Sequence, residues 1–369
     1  MAQRYVATPI PGPDAFAARG RDARLSQAAI VLSVGAAASG EAERVDDAAE
    51  IGLPPDLAAM GRAAPIPLDE AVAPLGVDPT EHVTDRRLPM PPATSVELMT
   101  RLADRPDPIT AAALVEANMH SASRLVRTAA AVAALSTTGP RDDVLALLVE
   151  GAARGDALTR EIGRIGVARV DPQHTVLRHI VGRPMRLSGR DRPSHTAVLT
   201  HGTFAAMAQW WRPGGDFYRY LDGLVPPLRL HDPSFGWSGI YSDGARQLAA
   251  QQMAEWIVDQ TLQRPDVFGH SHGVTVANLA TRRGAQIDRL VMLSWPVHEQ
   301  WLPDFANVQR VIDVRVRLDL VILADFGGQT LTPPPQHAAK VTSHVHGWFD
   351  HNAAHDPAYW ERHGLPLVL

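Results

Sequence analysis

Five short apolar runs alternate with helical stretches over the second half of the chain, and this alternation narrows the choice of fold more than any other feature. The runs are Thr196–Thr200, Asp266–Phe268, Leu290–Leu293, Val308–Leu318 and Lys340–Val345. Between the first two, Ser242–Leu262 sets Ala249, Met253, Trp256 and Ile257 on one face at helical spacing, and Val274–Arg283 follows the second as a short helix. Strands separated by helices are joined by crossovers, so they run parallel in a sheet covered on both faces. The expected class of residues 186–369 is therefore α/β with a mostly parallel sheet, preceded by a mainly helical N-terminal region.

That region reads as two parts. Residues 1–108 are rich in Ala, Pro and Asp and are broken at Pro9-Ile10-Pro11, Pro54-Pro55, Pro65-Ile66-Pro67 and Pro89-Met90-Pro91-Pro92, which predicts only short helices between turns and no assignable fold. Residues 109–185 are helical. Leu125, Ala129, Val132 and Ala133 share a helix face, as do Leu158, Ile162, Ile165 and Gly166. The two segments match at an offset of 33 residues, with Arg127 aligned to Arg160 and Val132 to Ile165. A first helix precedes each, around Ala112–Met119 and Val144–Ala152, with Gly139-Pro140 between the pairs. The pairs resemble a short HEAT-type array or a plain bundle. Two repeats are too few to stand free, so they are expected to lie on the neighbouring domain, and they offer a surface for a protein partner.

Composition removes whole classes of chemistry. The 369 residues include no cysteine, so thiol nucleophiles, disulfides and iron–sulfur clusters are excluded. The single lysine, Lys340, lies far from any Gly-rich loop, which excludes a phosphate-cradling P-loop. A net charge of −5 without a basic run argues against nucleic acid as a partner. The sixteen histidines leave imidazole chemistry open. The longest apolar stretch, Ala28–Ala38, is too short to span a bilayer and is read as a buried helix or strand. It follows Arg19, Arg21 and Arg24 like a signal-peptide core, but with an overlong positive region; a cytoplasmic location is expected, with secretion the alternative.

The chemistry centres on Gly269-His270-Ser271-His272-Gly273, a G-x-S-x-G pentapeptide placed after a strand and before a helix. A tight turn there lifts the serine hydroxyl above the sheet edge, and the flanking glycines let neighbouring backbone approach. The N–H of the next residue, His272, then faces a developing oxyanion. VLTHGTF at 198–204, FGWSG at 235–239, GHSHG at 269–273 and HNAAHDPAYW at 351–360 follow in the order seen in the α/β-hydrolase superfamily. From about Pro193 onward the chain resembles serine esterase- and lipase-like members of that superfamily, over about half its length. Val274 departs from related motifs, which often carry a further glycine there.

The resemblance implies an α/β-hydrolase fold, a carboxylic ester substrate (a small molecule or lipid-like), no metal or organic cofactor, and a triad in the order Ser, acid, His. Ser271 is the expected nucleophile. Asp319 is the first choice for the acid and Asp325 the second, while Asp313, inside a strand, is read as structural. His351 is the first choice for the base; His355 is the alternate, with Asp356 before Pro357 as a helix cap. Thr203 would supply the other backbone N–H of the oxyanion hole beside His272. Trp210 and Trp211 either line an acyl or alcohol site or seal a domain boundary, Trp237 is read as structural, and Gly327–Pro335 is a candidate rim. His344 and His346 share one face of the last strand. Two rival functions stand beside the esterase. One is a scaffold working through its helices, and the other a metallo-hydrolase built on His270/His272 or on His344/His346 with Asp350-His351, neither of which meets an H-x-H-x-D-H pattern.

Overall fold

The structure, a computed structural model, describes residues 13–40, 53, 57–60, 64–76, 92–178, 196–224 and 228–369. The boundary expected at 185–186 and the proline breaks at 9–11, 54–55 and 89–91 lie outside the described residues. Within the first 108 residues the expectation of short helices alone is corrected: α1 (Pro13–Ser39) is 27 residues long. No proline interrupts residues 14–53, so nothing in the covalent chain stops a helix that Ala, Leu and Arg favour. The apolar stretch Ala28–Ala38 is buried within α1. Two further helices follow, α2 (Leu68–Val72) and α3 (Pro92–Asp104).

The two expected helix pairs are present as α4 (Pro108–Met119), α5 (Arg124–Thr137), α6 (Asp142–Arg154) and α7 (Ala157–Val170). Asp107, Ser123 and Asp156 cap α4, α5 and α7 by accepting from backbone N–H groups of the first turn. The alanine-rich α5 sits among α1, α4, α6 and α7. Small side chains make that crowding feasible, and a Cβ on Gly35 of α1 would lie 2.6 Å from the Cα of Ala133.

Five strands form one all-parallel sheet in the order β1 (Ala197–Thr200), β2 (Asp266–His270), β3 (Ile287–Leu293), β4 (Val308–Arg317) and β5 (Val341–Trp348). Each overlaps one of the five apolar runs. Residues alternate across the sheet as the pleat requires. Val198, Val267, Leu290, Met292 and Val311 face a core shared with α9 (Asp243–Asp259) and α10 (His272–Thr281). Leu199, Phe268, Val291, Leu293, Ile312 and Val314 face the other way, towards α8 (Asp216–Asp222) and α12 (Pro357–Arg362).

Beyond β1 the chain first runs outward. Leu230 bridges Ala197 in parallel on the far side of β1, and α9 then carries the chain back to β2 on the opposite side. The winding therefore reverses between β1 and β2, and the crevice at the carboxyl ends of such a pair is where open parallel sheets bind ligands.

Helical half and sheet share one core. Leu318, Leu320, Val321, Leu323, Ala324 and Phe326, around α11 (Leu320–Asp325), are buried in the same cluster as α1 and α4–α7. The Arg169 guanidinium of α7 stands 3.8 Å over the Phe326 ring. No helix of the described residues is long and apolar enough to cross a membrane. Because α1 closes on α5 with no room for a side chain, Gly35→Ala should lower the unfolding free energy by about 1–3 kcal/mol in urea denaturation. Unchanged stability would contradict the close approach.

Candidate active site

β2 ends at His270 and α10 begins at His272, leaving Ser271 alone at the turn with φ 52° and ψ −131°. A non-glycine residue pays for positive φ, and such strain persists only where the surroundings enforce it. Here the Ser271 N–H donates to Leu293 O at 2.8 Å, tying the turn to β3. The loop after β1 presses on it from the other side. A Cβ on Gly273 would meet His201 O at 2.5 Å, and one on Gly202 would meet the Ser271 Cβ at 2.7 Å. Both glycines are demanded by the close approach of the two turns.

Ser271 faces a cavity whose wall also includes Thr203, His272, His351, Tyr241 and Asp325. Helix α7 of the N-terminal half closes it with Glu161 and Ile165.

Asp319 and His351 are both fully buried. Asp319 ends the β4 segment and caps α11, its Oδ1 accepting from the N–H groups of Val321 (3.0 Å) and Ile322 (3.2 Å). Its Oδ2 accepts from His351 Nδ1 at 2.8 Å. A carboxylate on Nδ1 fixes the tautomer in which Nε2 carries the lone pair. Among the described residues Nε2 has no hydrogen-bond partner. Burial opposes charging of this imidazole, but the Asp319 carboxylate and its hydrogen bond, with Glu161 and Asp350, outweigh it and raise His351 to about 9. Glu161 is itself raised, by burial first and by Asp319, against the pull of His351.

The structure thus brings Ser271, Asp319, His351, Thr203 and His272 to one place. His355 is elsewhere: it stacks on Trp210 with centroids 4.2 Å apart, bonds Asn352 Oδ1 at 3.1 Å, and is pushed by burial to about 4. Asp325 reaches the cavity wall but serves a different histidine. It accepts from Tyr241 Oη at 2.6 Å and pairs with His272 Nε2 at 3.2 Å and His298 Nε2 at 2.9 Å. Although burial raises it, the two histidines hold Asp325 well below the usual carboxylate range, while burial lowers His272 to about 4. Asp313 is paired with Arg315 at 2.6 Å inside the sheet.

Other expected residues take supporting places. The Trp237 indole donates to His201 O at 2.7 Å and stacks on its ring, fixing the loop after β1. Trp210 and Trp211 belong to the core behind β1 rather than to the cavity wall. Of the 327–335 stretch, Gly328 exchanges backbone bonds with Val297, and the Gln329 Oε1 accepts from the Asp319 N–H at 2.9 Å. His344 and His346 stack at 6.5 Å along β5, the edge strand. Among the described residues no three His, Asp or Glu side chains are grouped to hold a metal ion.

Sequence reading missed Glu161, Ile165, Tyr241, His298 and Gln329. Gln329 alone had a local signal, its place in the stretch between acid and histidine; the others arrive only through tertiary packing. No protein family, curated protein or solved structure matches the chain.

Raised from 6.5 to about 9, His351 contributes stability that is complete below pH 6.5 and is lost as pH rises through 9. An NMR titration should place its imidazole near 9. Asp319→Asn removes the chief attraction and leaves burial, so the same resonance should titrate below 6.5. An unchanged titration in the variant would contradict the pairing.

Proposed function

We propose that the protein is a serine hydrolase of α/β-hydrolase fold that cleaves carboxylic esters through an acyl-enzyme on Ser271. The observation that carries this reading is the buried His351 imidazole, bound to Asp319 through Nδ1 and unpartnered at Nε2 among the described residues, on a residue that lines the same cavity as Ser271. A serine hydroxyl is a weak nucleophile until a neighbouring base removes its proton. The neutral form of His351, populated as pH rises through about 9, takes that proton on Nε2 as Ser271 Oγ attacks the ester carbonyl, and Asp319 stabilises the imidazolium that results. Collapse of the tetrahedral intermediate breaks the bond to the alkoxy group, which leaves as the alcohol with the proton from Nε2. Water, activated by the same nitrogen, then frees the acid and restores the serine.

Negative charge builds on the carbonyl oxygen in both steps. In this reading the backbone N–H groups of Thr203 and His272 receive it, on either side of Ser271. The Thr203 hydroxyl strengthens the hole: Oγ1 is buried on the cavity wall and has no partner among the described residues. Orphaned buried hydroxyls are costly, and a donor aimed at a developing charge is a use that offsets the cost. The chemistry runs on the chain's own side-chain and backbone groups and calls for no cofactor. A cytoplasmic location and a small-molecule or lipid-like ester belong to the same reading.

A fluorophosphonate probe should label the wild type and fail to label Ser271→Ala of equal thermal stability. Thr203→Val should lower kcat by about a hundredfold with KM little changed, while Thr203→Ser retains most activity. Absence of labelling in folded wild type would overturn the serine mechanism.

A further inference from the structure

We propose, building on the serine-hydrolase reading, that Asp325 is a positioning residue of the oxyanion hole, acting through the His272 ring that it and Thr275 hold at both nitrogens. His272 opens α10, so its N–H has no carbonyl of its own helix to donate to and stays available to a ligand. Ring and N–H hang on the same Cα, and a ring held at both ends leaves the N–H little freedom to swing. Nε2 lies 3.2 Å from Asp325 Oδ1, and Nδ1 lies 3.1 Å from Thr275 Oγ1. An ionised carboxylate only accepts, so Nε2 carries the proton and Nδ1 accepts from the Thr275 hydroxyl. The Thr275 oxygen in turn accepts from Trp295 Nε1 at 3.0 Å.

Asp325 is itself held. Its Oδ1 also accepts from the Tyr241 hydroxyl at 2.6 Å, and its Oδ2 accepts from His298 Nε2 at 2.9 Å. The Tyr241 ring stands edge-on to His272 at 5.8 Å and stacks at 6.5 Å on Phe204, the neighbour of Thr203, so the network braces both oxyanion donors. Helix α11 carries Asp319 as its cap and Asp325 as its last residue, about 9 Å further along the axis. One short helix therefore spaces the base from the oxyanion donor. Stability does not account for the arrangement, because a buried ionic cluster is often no more stable than apolar packing of the same volume. A carboxylate beside a growing negative charge would oppose it. Here three donors point at Asp325, and the Arg246 guanidinium lies 5.2 Å from the centre of the Tyr241 ring. Asp325, Tyr241 and His272 line the same cavity as Ser271, which puts the network on the reacting side of the core.

The test uses the full chain with p-nitrophenyl acetate, taking the Ser271→Ala rate as background. Asp325→Leu should lower kcat by about tenfold or more with KM little changed, since a displaced oxyanion donor fails only in the transition state. Asp325→Asn, whose Oδ1 still accepts from His272 Nε2, should recover most of that loss. Phenylboronic acid, whose tetrahedral adduct on Ser271 sets an oxygen in the oxyanion hole, should bind Asp325→Leu more weakly by about the same factor as kcat falls. The His351 resonance should still titrate near 9 in that variant. Should Asp325→Leu fail to fold, Thr275→Val, which frees the other ring nitrogen, should lower kcat several-fold. A folded Asp325→Leu or Thr275→Val with wild-type kcat and boronate affinity would overturn the positioning role and leave the hydrolase reading standing. An Asp325→Asn as impaired as Asp325→Leu, or a His351 titration displaced in Asp325→Leu, would overturn the role as well. Wild type that neither reacts with a fluorophosphonate nor hydrolyses the ester would overturn the hydrolase reading and this role with it.

Discussion

The Asp319 carboxylate is the interaction on which the rest depends. One oxygen is held by the first N–H groups of α11 and the other by the His351 imidazole. Hydrogen bonds to charged groups are each worth about 1.5–3 kcal/mol net. The backbone that caps the helix therefore holds the carboxyl group in place, and its free oxygen fixes which nitrogen of a neutral His351 carries the proton. Gln329 holds the Asp319 backbone from the remaining side. Geometry at one sheet end, the start of α11 and the imidazole tautomer are settled together.

Through α11 the same residue links the sheet to the helical half. The hydrophobic residues that follow Asp319 are buried with α1 and α4–α7, so the acid stands at the seam of a core that neither half completes alone. Beside it lies a second buried arrangement, in which Asp325 gathers Tyr241, His272 and His298. Two carboxylates six residues apart thus hold two histidines in opposite states: His351 is raised by its acid, whereas His272 is kept neutral by burial despite its own. His272 also bonds Thr275 Oγ1 at 3.1 Å, so its side chain is fixed away from proton traffic.

Much of the sheet was legible because strand and helix periods differ and each run carried its own period. All five runs became strands, and the G-x-S-x-G turn fell between β2 and α10 as its glycines require. Asp319 was legible from its place after a long strand, and His351 from its place after the last one. The 27-residue α1 was not, because proline spacing was read as punctuation throughout the first 108 residues when it was silent over forty of them. Ile165 was read as a helix-face residue of a repeat, and Glu161 was not singled out. Nothing in their neighbourhood of sequence tells that a segment more than a hundred residues upstream closes over Ser271; that follows from the core shared around α11. Local pattern carried the strands and the turn, and long-range packing carried the roof of the site.

The proposed function requires that Ser271 become acylated by an ester. Rapid acid quenching of the protein shortly after mixing with p-nitrophenyl acetate, followed by mass-spectrometric peptide mapping, reads this directly. A single acetyl group is expected on the peptide containing Ser271, formed during turnover and lost as the ester is consumed. Turnover with no acetylated serine, or with the acetyl group on another residue, would contradict it.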